Sequence, residues 1–165
     1  MNSPESKIYH RSEDFLGVRD ELRKDGRTIV FTNGCFDIIH RGHCEYLFEA
    51  QQLGDFLVVG LNSDDSVRRL KGQRRPINSF DDRAYILSSF YFVDAVVLFD
   101  EDTPLKLIEK IRPDILVKGE DYEISEIVGA EQMKKWGGKV VRIPIVDGYS
   151  TSGIIEKIIE INERN

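Results

Sequence analysis

Five short apolar runs alternate along this chain with segments of helical periodicity, and that alternation limits the possible folds more than any other feature. The runs are Thr28 to Thr32, Phe56 to Leu61, Ala95 to Phe99, Asp114 to Lys118 and Lys139 to Ile143. They are continuous rather than alternating, so both faces of each strand must be covered. The intervening helices have readable ends. Ser12 opens one that carries Phe15, Val18 and Leu22 on a single face, and Asp25-Gly26 stops it. Residues 42 to 53 place Cys44, Leu47 and Phe48 at helical spacing before Gly54. A short helix is expected between Asn62 and the loop from Lys71 to Pro76. Ser79 is an N-cap followed by Asp81 and Asp82, with Phe80, Ala84, Leu87 and Tyr91 on one stripe. Thr103-Pro104 reads as a cap with proline at the first helical position, and that helix runs to about Ile111. A helix near Glu126 to Trp136 ends at Gly137-Gly138, and a terminal one carries Ile154, Ile155, Ile158 and Ile159.

This order predicts an α/β fold, a Rossmann-like open parallel five-stranded sheet with helices on both faces. The 165 residues suit a single domain with a full core. Residues 1–11 are expected to be a mobile arm and residues 12–165 the domain. In open sheets of this class, ligands bind at the carboxyl ends of the strands, near the point where strand order reverses. Three polar, turn-rich segments fall there: Asn33 to His43, Lys118 to Tyr122, and Gly148 to Gly153.

Charge and cysteine content narrow the partners. Lys and Arg number 23 against 29 Asp and Glu, a net charge of −6, which argues against a dedicated nucleic-acid binder. A local cluster such as Lys71, Arg74 and Arg75 can still serve a small anion. With only Cys35 and Cys44, a disulfide framework is excluded and a reducing cytoplasm is the expected location. Residues 1 to 14 lack the apolar core of a secretory signal, and no apolar run approaches the roughly 20 residues of a membrane span.

The segment Asn33-Gly-Cys-Phe-Asp-Ile-Ile-His-Arg-Gly-His43 joins a buried strand to a helix N-terminus. Such a helix end attracts anions through unpaired N–H groups and its dipole. His40 and His43, three apart, can face one space and donate to phosphate oxygens. Gly42 between them lets backbone approach a phosphate without a Cβ clash. A zinc site built from Cys35, His40, His43 and Cys44 is the rival reading, weakened because Cys44 lies on the apolar stripe. Tyr149-Ser150-Thr151-Ser152-Gly153 precedes the terminal helix and reads either as a cap or as a second phosphate cradle. Gly119 and Asp121 could approach a base edge or form a plain turn. Lys71, Arg74 and Arg75 read as a phosphate-binding or merely solvated loop, and Arg83 as a helix residue that can be structural. Neither Gly-x-Gly-x-x-Gly nor a Walker sequence is present.

These residues resemble the nucleotidyltransferase superfamily with the His-x-Gly-His signature, which includes the cytidylyltransferases. Within it, the resemblance is to the adenylyltransferase domain of bacterial ADP-heptose synthases. It runs from about Val30 to the C-terminus. Besides the first motif it includes Asn62-Ser-Asp64, Arg69-Leu-Lys-Gly72, Arg75-Pro76, Glu101-Asp-Thr-Pro104, Arg112 to Gly119, Asp121-Tyr122, and Asp147-Gly with Ser150-Thr151. The resemblance implies transfer of the adenylyl group of ATP to D-glycero-D-manno-heptose 1-phosphate, giving ADP-heptose and pyrophosphate. It implies His40, His43 and Lys71 as catalytic residues. It puts Asn33, Gly34, Phe36, Gly42, Gly119, Asp121, Ser150, Thr151 and Ser152 around the nucleotide. It turns Asp37, Asn62, Arg74 and Arg83 toward the sugar phosphate. Mg²⁺ is expected to arrive with ATP rather than in a protein cage. A homodimer is expected, with a separate kinase supplying the sugar phosphate and surface glycan or lipopolysaccharide synthesis as the destination. Ser152 stands where the superfamily usually has threonine, and the hydroxyl is retained. A cytidylyltransferase acting on glycerol 3-phosphate is the alternative.

Overall fold

The structure, a computed structural model, describes residues 3–144, 146 and 148–163. Asp147, quoted above with Gly148, lies outside the described residues. The elements in chain order are β1 (Ile8–Tyr9), α1 (Ser12–Lys24), β2 (Ile29–Gly34), α2 (Arg41–Gln51), β3 (Phe56–Asn62), α3 (Asp64–Lys71), α4 (Phe80–Ser88), β4 (Ala95–Phe99), α5 (Leu105–Ile111), β5 (Ile115–Gly119), α6 (Ala130–Lys135), β6 (Lys139–Ile143) and α7 (Thr151–Glu163). The strands form one parallel sheet in the order β1-β4-β3-β2-β5-β6.

Successive residues of a strand point to opposite faces, and here both faces are apolar. Phe31, Val58, Val97 and Leu116 pack under α1, α5 and α6 with Phe15, Leu107, Ile108 and Met133. Val30, Val59, Val96 and Val117 pack under α2 and α4 with Leu47, Ala50, Ala84 and Leu87. Each such side chain contributes about 1.5–3 kcal/mol when fully buried, which is why the strands read as unbroken apolar runs.

The sheet has six strands where five were expected. The extra one is β1, from the segment expected to be a mobile arm. Ile8 and Tyr9 pair with Val96 and Val97 at the edge. The Tyr9 ring meets Phe15 edge-on, with centroids 5.2 Å apart. Lys7 Nζ donates to the carbonyls of Phe90 and Val93 at 3.2 and 2.8 Å. Apolar docking and two main-chain acceptors thus hold the segment in place.

Smaller differences have local causes. The helix expected from Glu126 begins only at Ala130, because Gly129 sits at φ +94° and interrupts it. The helix after Thr103 starts at Leu105, so Pro104 is its cap residue and no side chain closes that end. Tyr91 lies beyond α4 and is 80% exposed rather than on its buried stripe. The α7 helix contains no buried residue; Ile154 and Ile155 are half-buried, and Ile158 and Ile159 are exposed.

Strand order reverses between β2 and β5, and the sheet splits there. Pairing of β2 with β3 runs to Gly34↔Leu61, and pairing of β5 with β6 runs to Gly119↔Ile143. The β2–β5 ladder stops at Phe31↔Leu116. Beyond that register the carboxyl ends of β2 and β5 part and leave a crevice.

Candidate active site

The crevice is lined first by strand-end residues. Tyr46, from α2, spans its base. Its hydroxyl lies 2.7 Å from Thr32 Oγ1 and donates to the Val117 carbonyl at 3.1 Å. One residue further along both strands, Lys118 Nζ donates to Asn33 Oδ1 at 2.6 Å. Gly34 follows, and a Cβ there would lie 2.9 Å from the Phe36 ring. The Phe36 ring in turn meets His43 edge-on at 5.1 Å. Asn33, Gly34, Phe36 and Gly119 therefore sit together around the split.

The two histidines stand at the start of α2. His40 is its N-cap residue, and its Nδ1 accepts the His43 N–H at 3.4 Å. In the neutral ring the proton must then reside on Nε2, leaving an outward donor. The His40 and His43 rings stack with centroids 3.7 Å apart and planes 19° from parallel. Close stacking of two cations would be costly, and both rings stay neutral. Burial, with His40 as a secondary cause, holds His43 down to about 4. Burial also lowers His40. His43 Nδ1 is buried and meets no acceptor in hydrogen-bond geometry among the described residues, although the Ile38 carbonyl favours the protonated ring weakly. Gly42 is buried between them, and a Cβ there would lie 3.2 Å from His40 Nδ1 and 3.3 Å from Tyr149 Cβ. Any larger residue would disturb the pair.

The third segment reaches the same place. The Tyr149 ring lies nearly parallel to His40 on a 6.3 Å centroid separation, and Thr151 Oγ1 donates to the Ile38 carbonyl at 3.4 Å. Ser150 Oγ accepts the Gly153 N–H at 3.0 Å and so caps α7. Its hydroxyl proton remains available, as does the exposed Ser152. The N-termini of α2 and α7 are thereby brought side by side, two anion-attracting ends around one space.

Three residues expected at the sugar phosphate are instead built into the scaffold. Arg83 is fully buried, and its guanidinium donates to the carbonyls of Asn78, Cys35 and Asn62 and to Asp64 Oδ1. Asn62 is buried, donates to Ser66 Oγ at 2.9 Å and lies 3.9 Å from the Cys35 thiol. Asp37 is buried and accepts the N–H groups of Ile77 and Asn78 at 2.7 and 3.0 Å and Arg75 Nε at 2.5 Å. Burial raises the Asp37 pKa, but those donors outweigh it and hold the carboxylate below its usual range. These side chains have their bonds inside the protein, and Asp37 shapes the 75–78 loop rather than reaching outward.

Lys71 and Arg74 are exposed, one at the end of α3 and the other on the loop after it. Lys71 is close enough to oppose the burial that raises the Cys35 pKa, as are Arg83 and Arg75. The Cys35 thiol stays protonated, a poor nucleophile. Asp121 is exposed, and its charge is felt at Lys118. Among the described residues no three of His, Cys, Asp and Glu come together as metal ligands, so Cys35, His40, His43 and Cys44 do not form a zinc cluster. A cavity of about 410 Å³ opens at the opposite ends of the strands, between Arg23, Arg112, Trp136 and Lys139, away from all three segments.

Lys118 and Tyr46 line the split but were not among the candidate site residues expected from the sequence. Lys118 carried a signal, a cation at the end of an otherwise apolar strand. Tyr46 carried none, since a helical tyrosine is ordinary.

Comparison with known proteins identifies the family. The cytidylyltransferase-like family profile matches residues 31–157. The chain is 52% identical over 160 residues to Bifunctional protein HldE of Syntrophotalea carbinolica, covering 97% of this chain and 32% of that protein. It is 60% identical over 150 residues to Bifunctional protein HldE of Campylobacter concisus, covering 90% and 31%. The chain thus spans about a third of the length of these curated relatives. A crystal structure of the lipopolysaccharide core biosynthesis protein from Thermoplasma volcanium is similar with a TM-score of 0.59 and 34% identity, over 76% of this chain and all of that one. Pantoate-beta-alanine ligase from Francisella tularensis, at 18% identity and a TM-score of 0.62 over 96% of this chain and 79% of that one, shares the fold. No helix among the described residues is long and apolar enough to cross a membrane.

Proposed function

The chain belongs to the cytidylyltransferase-like family and is a nucleotidyltransferase, and from that premise we propose that it adenylylates D-glycero-D-manno-heptose 1-phosphate. A phosphate oxygen of the sugar attacks the α-phosphorus of ATP in line. The bond from that phosphorus to the β-bridging oxygen breaks, and pyrophosphate leaves with the electron pair. No bond to the protein forms, consistent with a protonated Cys35.

The observation that carries the proposal is the stacked pair of neutral imidazoles at the α2 N-terminus, beside the split sheet. Charge accumulates on the phosphate oxygens during transfer, and preorganised donors aimed at them lower the barrier. His40 supplies its Nε2 proton, His43 a second imidazole donor, and the α2 end a favourable dipole. We place the β- and γ-phosphates at the α7 N-terminus with the Ser150, Thr151 and Ser152 hydroxyls. We place the exposed Lys71 and Arg74 over the phosphates. Asn33, Gly34, Phe36, Gly119 and Asp121 line the nucleotide. Mg²⁺ would come bound to the nucleotide's phosphates, where it offsets their charge; Asp37, its oxygens already engaged, is not positioned to take it. We place the kinase step that forms the sugar 1-phosphate outside these residues; the relatives, named as bifunctional proteins, are about three times as long as this chain. A homodimer in the cytoplasm, feeding lipopolysaccharide or surface glycan synthesis, completes the proposal.

Pyrophosphate release measured over ATP and CTP, each with heptose 1-phosphate and with glycerol 3-phosphate, tests it. Turnover is expected with ATP and heptose 1-phosphate. Turnover confined to CTP and glycerol 3-phosphate would overturn the substrate assignment. Sedimentation at the 19.0 kDa of one chain would overturn the dimer.

A further inference from the structure

The mechanism above makes no use of Lys118, yet this ammonium is built into the wall of the split. It donates to Asn33 Oδ1 at 2.6 Å and, at 3.5 Å, to the Asn33 carbonyl. Among the described residues it forms no ion pair. Asp121 acts on it from longer range, and the Tyr122 ring centroid lies 5.9 Å from Nζ. Burying an ammonium against a neutral amide is unfavourable. Burial accordingly lowers Lys118 to about 8, with Asp121 and Cys35 only partly opposing the shift. A methionine would fill the same space without that penalty.

The cost has a consequence for Asn33. An ammonium only donates, so the amide must turn its oxygen toward Lys118. Its NH₂ end is then directed away from Lys118, and no described protein group accepts from it. Asn33 is half-buried at the parted end of β2, adjacent to Gly34 and, through Phe36, to His43. We infer that Lys118 is a positioning residue, fixing the Asn33 amide so that its NH₂ donates to a phosphate oxygen of the bound nucleoside triphosphate. The inference rests on the nucleotide-binding reading and deepens it by naming what orients one of its donors.

The test is a double-mutant cycle on the full chain, read by calorimetric binding of the Mg²⁺ complex of α,β-methylene ATP. Lys118→Met and Asn33→Ala should each weaken binding about tenfold, the loss of one hydrogen bond to a charged group. The double variant should be no weaker than Asn33→Ala alone, because Lys118 acts through Asn33. Losses that multiply to about a hundredfold, or Lys118→Met binding like wild type, would overturn the inference. Lys118→Gln provides a second arm if the methionine variant melts early. Its amide can still donate, so affinity should stay within about threefold of wild type. A loss as large as that of Asn33→Ala would also overturn the inference. Wild type that binds the analogue without turning over heptose 1-phosphate would reject only the acceptor assignment, and the cycle would still report on Lys118.

Discussion

His40 commits one ring nitrogen to capping its own helix, and that commitment determines how the histidine pair works. It leaves a neutral ring with one defined donor, stacked on a second neutral ring. The site therefore offers hydrogen bonds rather than fixed positive charge. Replacing His43 with alanine should lower kcat by about 10² to 10³, measured as pyrophosphate release; an unchanged rate would remove the pair from catalysis. Neutral imidazoles also set a pH dependence of stability. The unfolded chain protonates histidine near about 6.5, whereas folded His43 does so only near about 4. Between these values the unfolded state binds more protons, so stability is full above about pH 6.5 and declines as pH falls toward 4. For His43 the decline is roughly 2 kcal/mol by about pH 5. Urea unfolding at about pH 7.5 and pH 5 should show a smaller loss for His43→Gln than for wild type, and equal losses would contradict the assignment. At this scale spacing alone brought His40, Gly42 and His43 to one helix end, where they stand together. It could not show that Asp37, Asn62 and Arg83 are bonded within the protein, because an acid, an amide and a guanidinium serve substrate and scaffold alike. Burial decides between those roles, and burial of a single polar side chain has no local sequence signal.

Between elements, Arg83 ties α4 to the ends of β2 and β3. Its guanidinium serves three carbonyls and Asp64. Arg83→Leu should destabilise the fold by about 3–5 kcal/mol, since it strands those acceptors and Asp64. Chemical denaturation would show it; a variant of normal stability with a raised KM for the sugar phosphate would instead restore Arg83 to the substrate. Element prediction succeeded where one periodicity dominated. The spans of β4 and β6 were legible from their apolar runs, and Ser79 from its capping pattern, with Oγ accepting the Asp82 N–H. It failed for β1, since two residues are too few to show a period and their pairing with Val96 and Val97 is distant in sequence. It failed for the start of α6 because the left-handed turn at Gly129 depends on packing against Ile108.

For the molecule as a whole, β1 shields one side of β4, which would otherwise be an open sheet edge. Deleting residues 3–9 removes the Tyr9–Phe15 contact and both Lys7 bonds. The truncated chain should melt a few degrees lower, with about 2–4 °C expected for each kcal/mol lost in a domain near this size, and should aggregate more readily in light scattering. An unchanged melting curve would show that the arm contributes nothing. The early end of the β2–β5 ladder has a different result. Below residues 31 and 116 the two halves of the sheet are stitched by main chain, and beyond them by side chains such as Tyr46 and Lys118. Stiffness is therefore uneven. The core resists shear, while the rim, held by side-chain latches, can widen like a page turning about a spine. Amide protons along that rim should exchange faster than those of the spine and slow once a nucleotide fills the gap.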